Sequence, residues 1–185
     1  MDFELNYEKI LGEIKTTLDT SNFASLEDFV DKIISAEKIV VFGAGRVGLM
    51  MKSFAMRLTH LNLQSFYVGD VNLPKTGTGD LIIIGSGSGN TKSVVAIAGA
   101  AKASGLDVVS VTASLNSSIA DLSSSLIYLN CETKDVESKK RFSVQPMTTL
   151  FEQSLLIFLD ALVLTLMYRL NENHESMLER HNVIE

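Results

Sequence analysis

Three hydroxyls fall within six residues in Ser86-Gly87-Ser88-Gly89-Asn90-Thr91, which joins a strand-like run to a helix-like one. At a helix start the first backbone N–H groups have no intrahelical partner and the dipole presents its positive end, so an anion is favoured there. Serine and threonine hydroxyls add donors without adding bulk or charge. A helix cap needs only one of them, so three point to a phosphate-sized ligand. A second turn, Gly43-Ala44-Gly45-Arg46-Val47-Gly48, is a literal G-x-G-x-x-G, with Asp70 lying 22 residues beyond Gly48. One reading is a dinucleotide fingerprint, with glycines admitting a phosphate and the acid on a ribose hydroxyl; the other is a tight strand-to-helix turn of any α/β domain. A dinucleotide fold does not require the hydroxyl-rich loop. A monophosphorylated small molecule, held at one turn with its reactive end towards the other, uses both. Arg46, inside the glycine turn, can bind a phosphate or sugar oxygen, or pair with a surface acid.

Glu152 is the candidate base. It sits near the start of an otherwise apolar helix, with Thr148 and Thr149 one turn earlier, where burial tunes a carboxylate for proton abstraction. The competing reading is a first-turn acid favoured by the dipole, or a capping-box acid with Thr149 as N-cap. The histidines are His60, His174 and His181. His60 falls at the end of a helix, where a cation-capable side chain suits the dipole, and the other two lie in a polar tail. Gln153 and Asp160 share one helix face and read as a buried hydrogen bond or a subunit contact.

These side chains need a scaffold. Residues 3–19 and 26–34 carry helical stripes, and then the period changes. Short apolar runs at 38–42, 63–68, 80–84, 108–111 and 126–129 read as strands, separated by helical patterns at about 47–61, 91–104 and 117–122. Gly105 reads as a helix C-cap, 131–144 as a charged loop, about 148–170 as a long apolar helix and 174–180 as a short one. Strands alternating with helices predict a doubly wound α/β domain, a five-stranded parallel sheet with helices on both faces and an N-terminal helical extension. One domain over 1–185 is expected: helices in 1–36, the α/β core in 37–147, and the last helix and tail in 148–185.

Composition narrows the class. The chain has 185 residues, 46% hydrophobic, which excludes a disordered chain. Its 16 basic and 22 acidic residues give −6 with no basic block, a poor partner for nucleic acid. Cys131 is the single cysteine, which excludes an internal disulfide and points to a reducing cytoplasm. Glu152 and Asp160 interrupt the apolar stretch 150–170, so it reads as a buried or intersubunit helix rather than a membrane span.

The hydroxyl-rich turn resembles the S-x-S-G-x-T phosphate loop of sugar isomerase (SIS) domains, which bind phosphosugars on a doubly wound, flavodoxin-like fold. Gly43 to Arg46, Arg57-Leu58-Thr59-His60-Leu61, Gly79 to Ile83, Gln145 to Glu152 and the ending Glu179-Arg180-His181-Asn182 look like the 6-phospho-3-hexuloisomerase family within that group. The resemblance covers nearly the whole chain. It departs at Val47, where the family usually has serine, at Asn90, where it usually has glutamate, and across 70–75. What it implies is a cofactor-independent isomerase, using no metal, that converts D-arabino-3-hexulose 6-phosphate to fructose 6-phosphate through an enediol(ate). Glu152 would be the base, with His60 and His181 managing oxygen protons. Ser86, Gly87, Ser88, Gly89 and Thr91 would hold the phosphate, and Gly45 and Arg46 would meet the sugar. The resemblance also implies a homotetramer, with His181 reaching a neighbour's sugar, and a functional pairing with a hexulose-phosphate synthase. Alternatives are a SIS isomerase acting on an arabinose or heptose phosphate, and a non-catalytic phosphosugar sensor.

Overall fold

Strand order in the sheet is β2-β1-β3-β4-β5, and every pairing is parallel. The strands of this computed structural model are β1 (Ile39–Gly43), β2 (Ser65–Tyr67), β3 (Leu81–Ser86), β4 (Asp107–Thr112) and β5 (Ser125–Tyr128). The structure describes residues 3–132 and 143–184. Most of the loop expected at 131–144 therefore lies outside the described residues. The helices are α1 (Phe3–Asp19), α2 (Leu26–Ser35), α3 (Arg46–His60), α4 (Lys92–Ala103), α5 (Ser118–Leu122), α6 (Thr149–Leu170) and α7 (His174–Glu179).

The strands lack polar alternation because both faces of the sheet are covered. Ile39, Val41, Leu81 and Ile83 point into one cluster with Phe29 and Ile33 of α2, Met51, Phe54 and Leu58 of α3, and Phe151 and Leu155 of α6. Val40, Ile82, Ile84 and Val108 point the other way, against Val94 and Ala98 of α4 and Ile119 of α5. This is the doubly wound α/β architecture expected, with five parallel strands.

One boundary moves. The run at 63–68 forms only the three-residue strand Ser65–Tyr67. Among the described residues it is an edge strand beside β1, and the chain leaves it through a turn at Gly69, which has φ +101°. Gly105 closes α4 as expected, with φ +89°. The apolar helix α6 is, among the described residues, the one long and apolar enough to cross a membrane. Half of its most apolar window is nonetheless buried in the protein, where it packs on α1, α2 and α3. Leu155, Leu159, Leu162 and Leu166 supply the inner face, whereas Leu164 and Tyr168 remain exposed.

Candidate active site

The order of the strands reverses between β1 and β3, and a doubly wound sheet opens a crevice at the carboxyl ends of the two strands flanking such a point. Both glycine-rich turns leave the sheet there, because Gly43 and Gly85 are paired across β1 and β3. The start of α6 closes the third side. The resulting cavity of about 510 Å³ is lined by Gly45, Arg46 and Val47, by Ser86, Gly87, Ser88 and Thr91, and by Thr148, Phe151 and Glu152, among others.

The hydroxyl-rich loop is held from below. Ser86 Oγ accepts the Gly89 N–H at 3.1 Å, and Ser88 Oγ accepts the Asn90 N–H at 3.3 Å. The Gly87 carbonyl accepts from the Ala113 N–H at 3.1 Å and the Gly89 carbonyl from Ile119 N–H at 3.1 Å. Thr91, the N-cap of α4, makes no side-chain cap bond, so its hydroxyl and the first-turn N–H groups of α4 are available to an anion. Asn90, one of the departures from the family pattern, turns away from the cavity: its Oδ1 accepts from Ser118 N–H at 3.0 Å and from Ser118 Oγ at 3.1 Å. It ties the loop to α5. Val47 is different, because it forms part of the cavity wall.

Gly89 is required twice over. Its φ is +67°, and an added Cβ would lie 2.2 Å from Ser117 Oγ. The left-handed backbone alone disfavours a side chain by about 1–2 kcal/mol. Gly89→Ala is therefore expected to lower the melting temperature by at least about 3 °C, given the usual scale for a chain of this size. A thermal unfolding curve that superimposes on wild type would contradict this.

The G-x-G-x-x-G turn has a packing explanation. A Cβ on Gly48 would lie 2.5 Å from Gly43 O and 2.8 Å from Tyr67 Oη. The Tyr67 hydroxyl donates to Gly43 O at 2.8 Å, tying β2 to the end of β1 where Gly48 of α3 packs close against both. Asp70, the acid that a ribose would need, instead accepts the Tyr67 N–H at 2.8 Å within the turn after β2. The observations favour the tight-turn reading over the dinucleotide one.

Glu152 is buried at the cavity, and both of its oxygens are engaged. Arg46 Nη1 donates to Oε2 at 2.8 Å, and Thr148 Oγ1 donates to Oε1 at 2.9 Å. The acid that Arg46 meets is thus this cavity carboxylate, rather than a surface acid. The capping-box reading with Thr149 fails on geometry. Thr148 is the N-cap, makes no side-chain cap bond, and donates to the acid instead; Thr149 Oγ1 donates to Pro146 O at 2.7 Å. Met147, just before, is held at φ +55°, a left-handed conformation unusual for a side-chain-bearing residue. Sequence reasoning did not assign a role to Thr148; its only signal was a hydroxyl four residues before the acid.

The histidines lie elsewhere in the chain. His60 ends α3 and Arg46 begins it, so about 21 Å of helix separates them. His60 is buried, and its ring lies 5.5 Å from that of His181. Arg57 Nη1 lies 3.3 Å from His60 Nδ1, and since a guanidinium only donates, Nδ1 is the accepting atom in this contact. Arg180 clamps the tail to this corner, donating to His60 O at 2.9 Å and pairing with both oxygens of Glu172 at 2.9 Å. The tail is docked rather than loose, yet one chain does not bring His60 or His181 to Glu152. His174 is exposed at the start of α7. Gln153 and Asp160 make no pair: Gln153 Oε1 is buried without a hydrogen-bond partner, Asp160 is exposed, and seven helical residues span about 10 Å.

Comparisons with known proteins identify the domain. The SIS domain profile matches residues 32–164. A Bacillus subtilis protein named 3-hexulose-6-phosphate isomerase is 38% identical over 177 residues, covering 96% of each chain. A protein of the same name from Methanocaldococcus jannaschii is 36% identical over 183 residues, covering 98% of this chain and 94% of that one. A crystal structure from Methanococcus jannaschii, whose molecular function was inferred as 3-hexulose-6-phosphate isomerase, superimposes with a TM-score of 0.83 at 32% identity, covering 97% of this chain and 99% of that one.

Proposed function

The chain belongs to the SIS-domain family, and on that premise we propose that this phosphosugar isomerase interconverts D-arabino-3-hexulose 6-phosphate and fructose 6-phosphate through an enediol(ate). The observation that carries the reading is a buried carboxylate, Glu152, facing the same cavity as the hydroxyl-rich start of α4.

The chemistry is a proton relocation without net redox. Glu152 takes the proton from C2 while the C3 carbonyl oxygen gains one, giving a 2,3-enediol. The C2 hydroxyl then loses its proton as C3 receives one, and the carbonyl stands at C2. The phosphate, on Ser86, Ser88, Thr91 and the N–H groups of α4, supplies orientation remote from the reacting carbons. Arg46, close to the carboxylate and partly exposed, is placed to meet the charge that grows on the substrate oxygens.

Oxygen protons need a second carrier. His60 and His181 stand too far from Glu152 in their own chain, so this role falls to the pair from a neighbouring copy. Exposed Leu49 and Met56 on α3 and Ile157, Leu164 and Tyr168 on α6 offer apolar surface for such assembly. In this proposal the enzyme is a homotetramer in the cytoplasm, working alongside a hexulose-phosphate synthase.

Calorimetry tests the placement of the phosphate. Wild type is expected to bind fructose 6-phosphate and to ignore fructose. Ser88→Ala with Thr91→Ala is expected to weaken binding and raise KM with kcat little changed, because a remote handle serves ground and transition states alike. Unaltered binding by the double variant would remove the phosphate from this loop.

A further inference from the structure

We propose that Thr148 is a positioning residue for the general base, holding one oxygen of Glu152 so that the other faces the substrate; the inference rests on Glu152 being that base. A residue at an N-cap ordinarily accepts an N–H of the first turn with its side-chain oxygen. Thr148 does not. Its hydroxyl donates instead to Glu152 Oε1 at 2.9 Å, while its carbonyl accepts the Glu152 N–H at 3.1 Å, so one residue grips the acid at both backbone and side chain.

The two donors on the carboxylate differ in kind. Thr148 is short, half-buried and fixed at the helix start, directly after Met147 with its left-handed backbone at φ +55°. Arg46 is long, its side chain 47% exposed against 10% for Glu152, and it reaches the acid from across the cavity. A substrate oxygen bearing negative charge draws the charged, solvent-facing guanidinium more strongly than a neutral hydroxyl tied to the helix start. When Arg46 turns to the sugar, Oε2 becomes the uncovered, reacting oxygen and Oε1 stays anchored. A carboxylate with one oxygen pinned presents a single lone-pair direction to the carbon acid, and small misplacements of a reacting group cost rate far more than binding.

The test is steady-state kinetics on Thr148→Val, Thr148→Ser, Glu152→Gln and the double variant Thr148→Val/Glu152→Gln, each checked for fructose 6-phosphate binding by calorimetry. Thr148→Val is expected to lower kcat about 10- to 100-fold with KM within about twofold of wild type. Thr148→Ser, which restores the hydroxyl, is expected to recover most of the turnover. In the Glu152→Gln background the valine should cost little more, since there is no base left to position. Near-wild-type turnover by Thr148→Val, or a Thr148→Ser variant as slow as the valine, overturns the inference while leaving Glu152 as base if Glu152→Gln is inactive. An active Glu152→Gln overturns the base itself, and the positioning role with it.

Discussion

Glu152→Gln is expected to lose about 10²–10⁴ in kcat, the range that a positioned general base supplies, while still binding phosphosugar. The amide keeps the shape and an oxygen able to accept the Thr148 hydroxyl, so the start of α6 is preserved. What disappears is the charge and its pair with Arg46. That arginine is partly solvated already, so its release costs the fold little. Steady-state rates beside calorimetric titration with fructose 6-phosphate separate the two effects. Turnover above about a tenth of wild type would demote Glu152 to a structural acid.

The second large effect is a gain. His181→Ala and Glu152→Gln chains, each nearly inactive alone, are expected to recover activity when unfolded or dissociated together and reassembled. The reason is geometric. His181 lies beside His60 at the far end of α3 from Arg46, so a site using both Glu152 and His181 draws them from two chains. In an equal random mixture about one site in four carries both intact residues. Native mass analysis establishes that mixed oligomers form, and the same sample is assayed. Mixed oligomers as inactive as their parents would exclude action of His181 in trans.

How far these residues could be read in advance depended on whether their signal was local. The hydroxyl excess in Ser86 to Thr91 is a local pattern, and the segment indeed opens α4 at the crevice. The strands were legible because burial on both faces leaves continuous apolar runs, and only the edge strand β2 came out shorter. Glu152 stood out as an acid on an apolar helix. Its partners did not: Arg46 is 106 positions away, and no spacing rule links them. Thr149 read as the cap, yet the N-cap is Thr148, whose hydroxyl donates to the acid, while Thr149 donates to Pro146. The G-x-G-x-x-G turn was ambiguous until Tyr67 and Asp70 supplied its packing. The docking of the tail on His60 rests on Arg180 and Glu172, a tertiary clamp that composition does not announce.

A coupled assay for fructose 6-phosphate decides whether this chain carries out the proposed reaction. Purified protein, with no cofactor added, is given D-arabino-3-hexulose 6-phosphate, arabinose 5-phosphate or a heptose phosphate at equal concentration, and conversion of the latter two is followed in parallel by NMR. Steady formation of fructose 6-phosphate from the 3-hexulose phosphate is expected, lost in Glu152→Gln and restored at high substrate in the Ser88→Ala/Thr91→Ala variant. Turnover of only the arabinose or heptose phosphate, or binding of all three without any product, would contradict it.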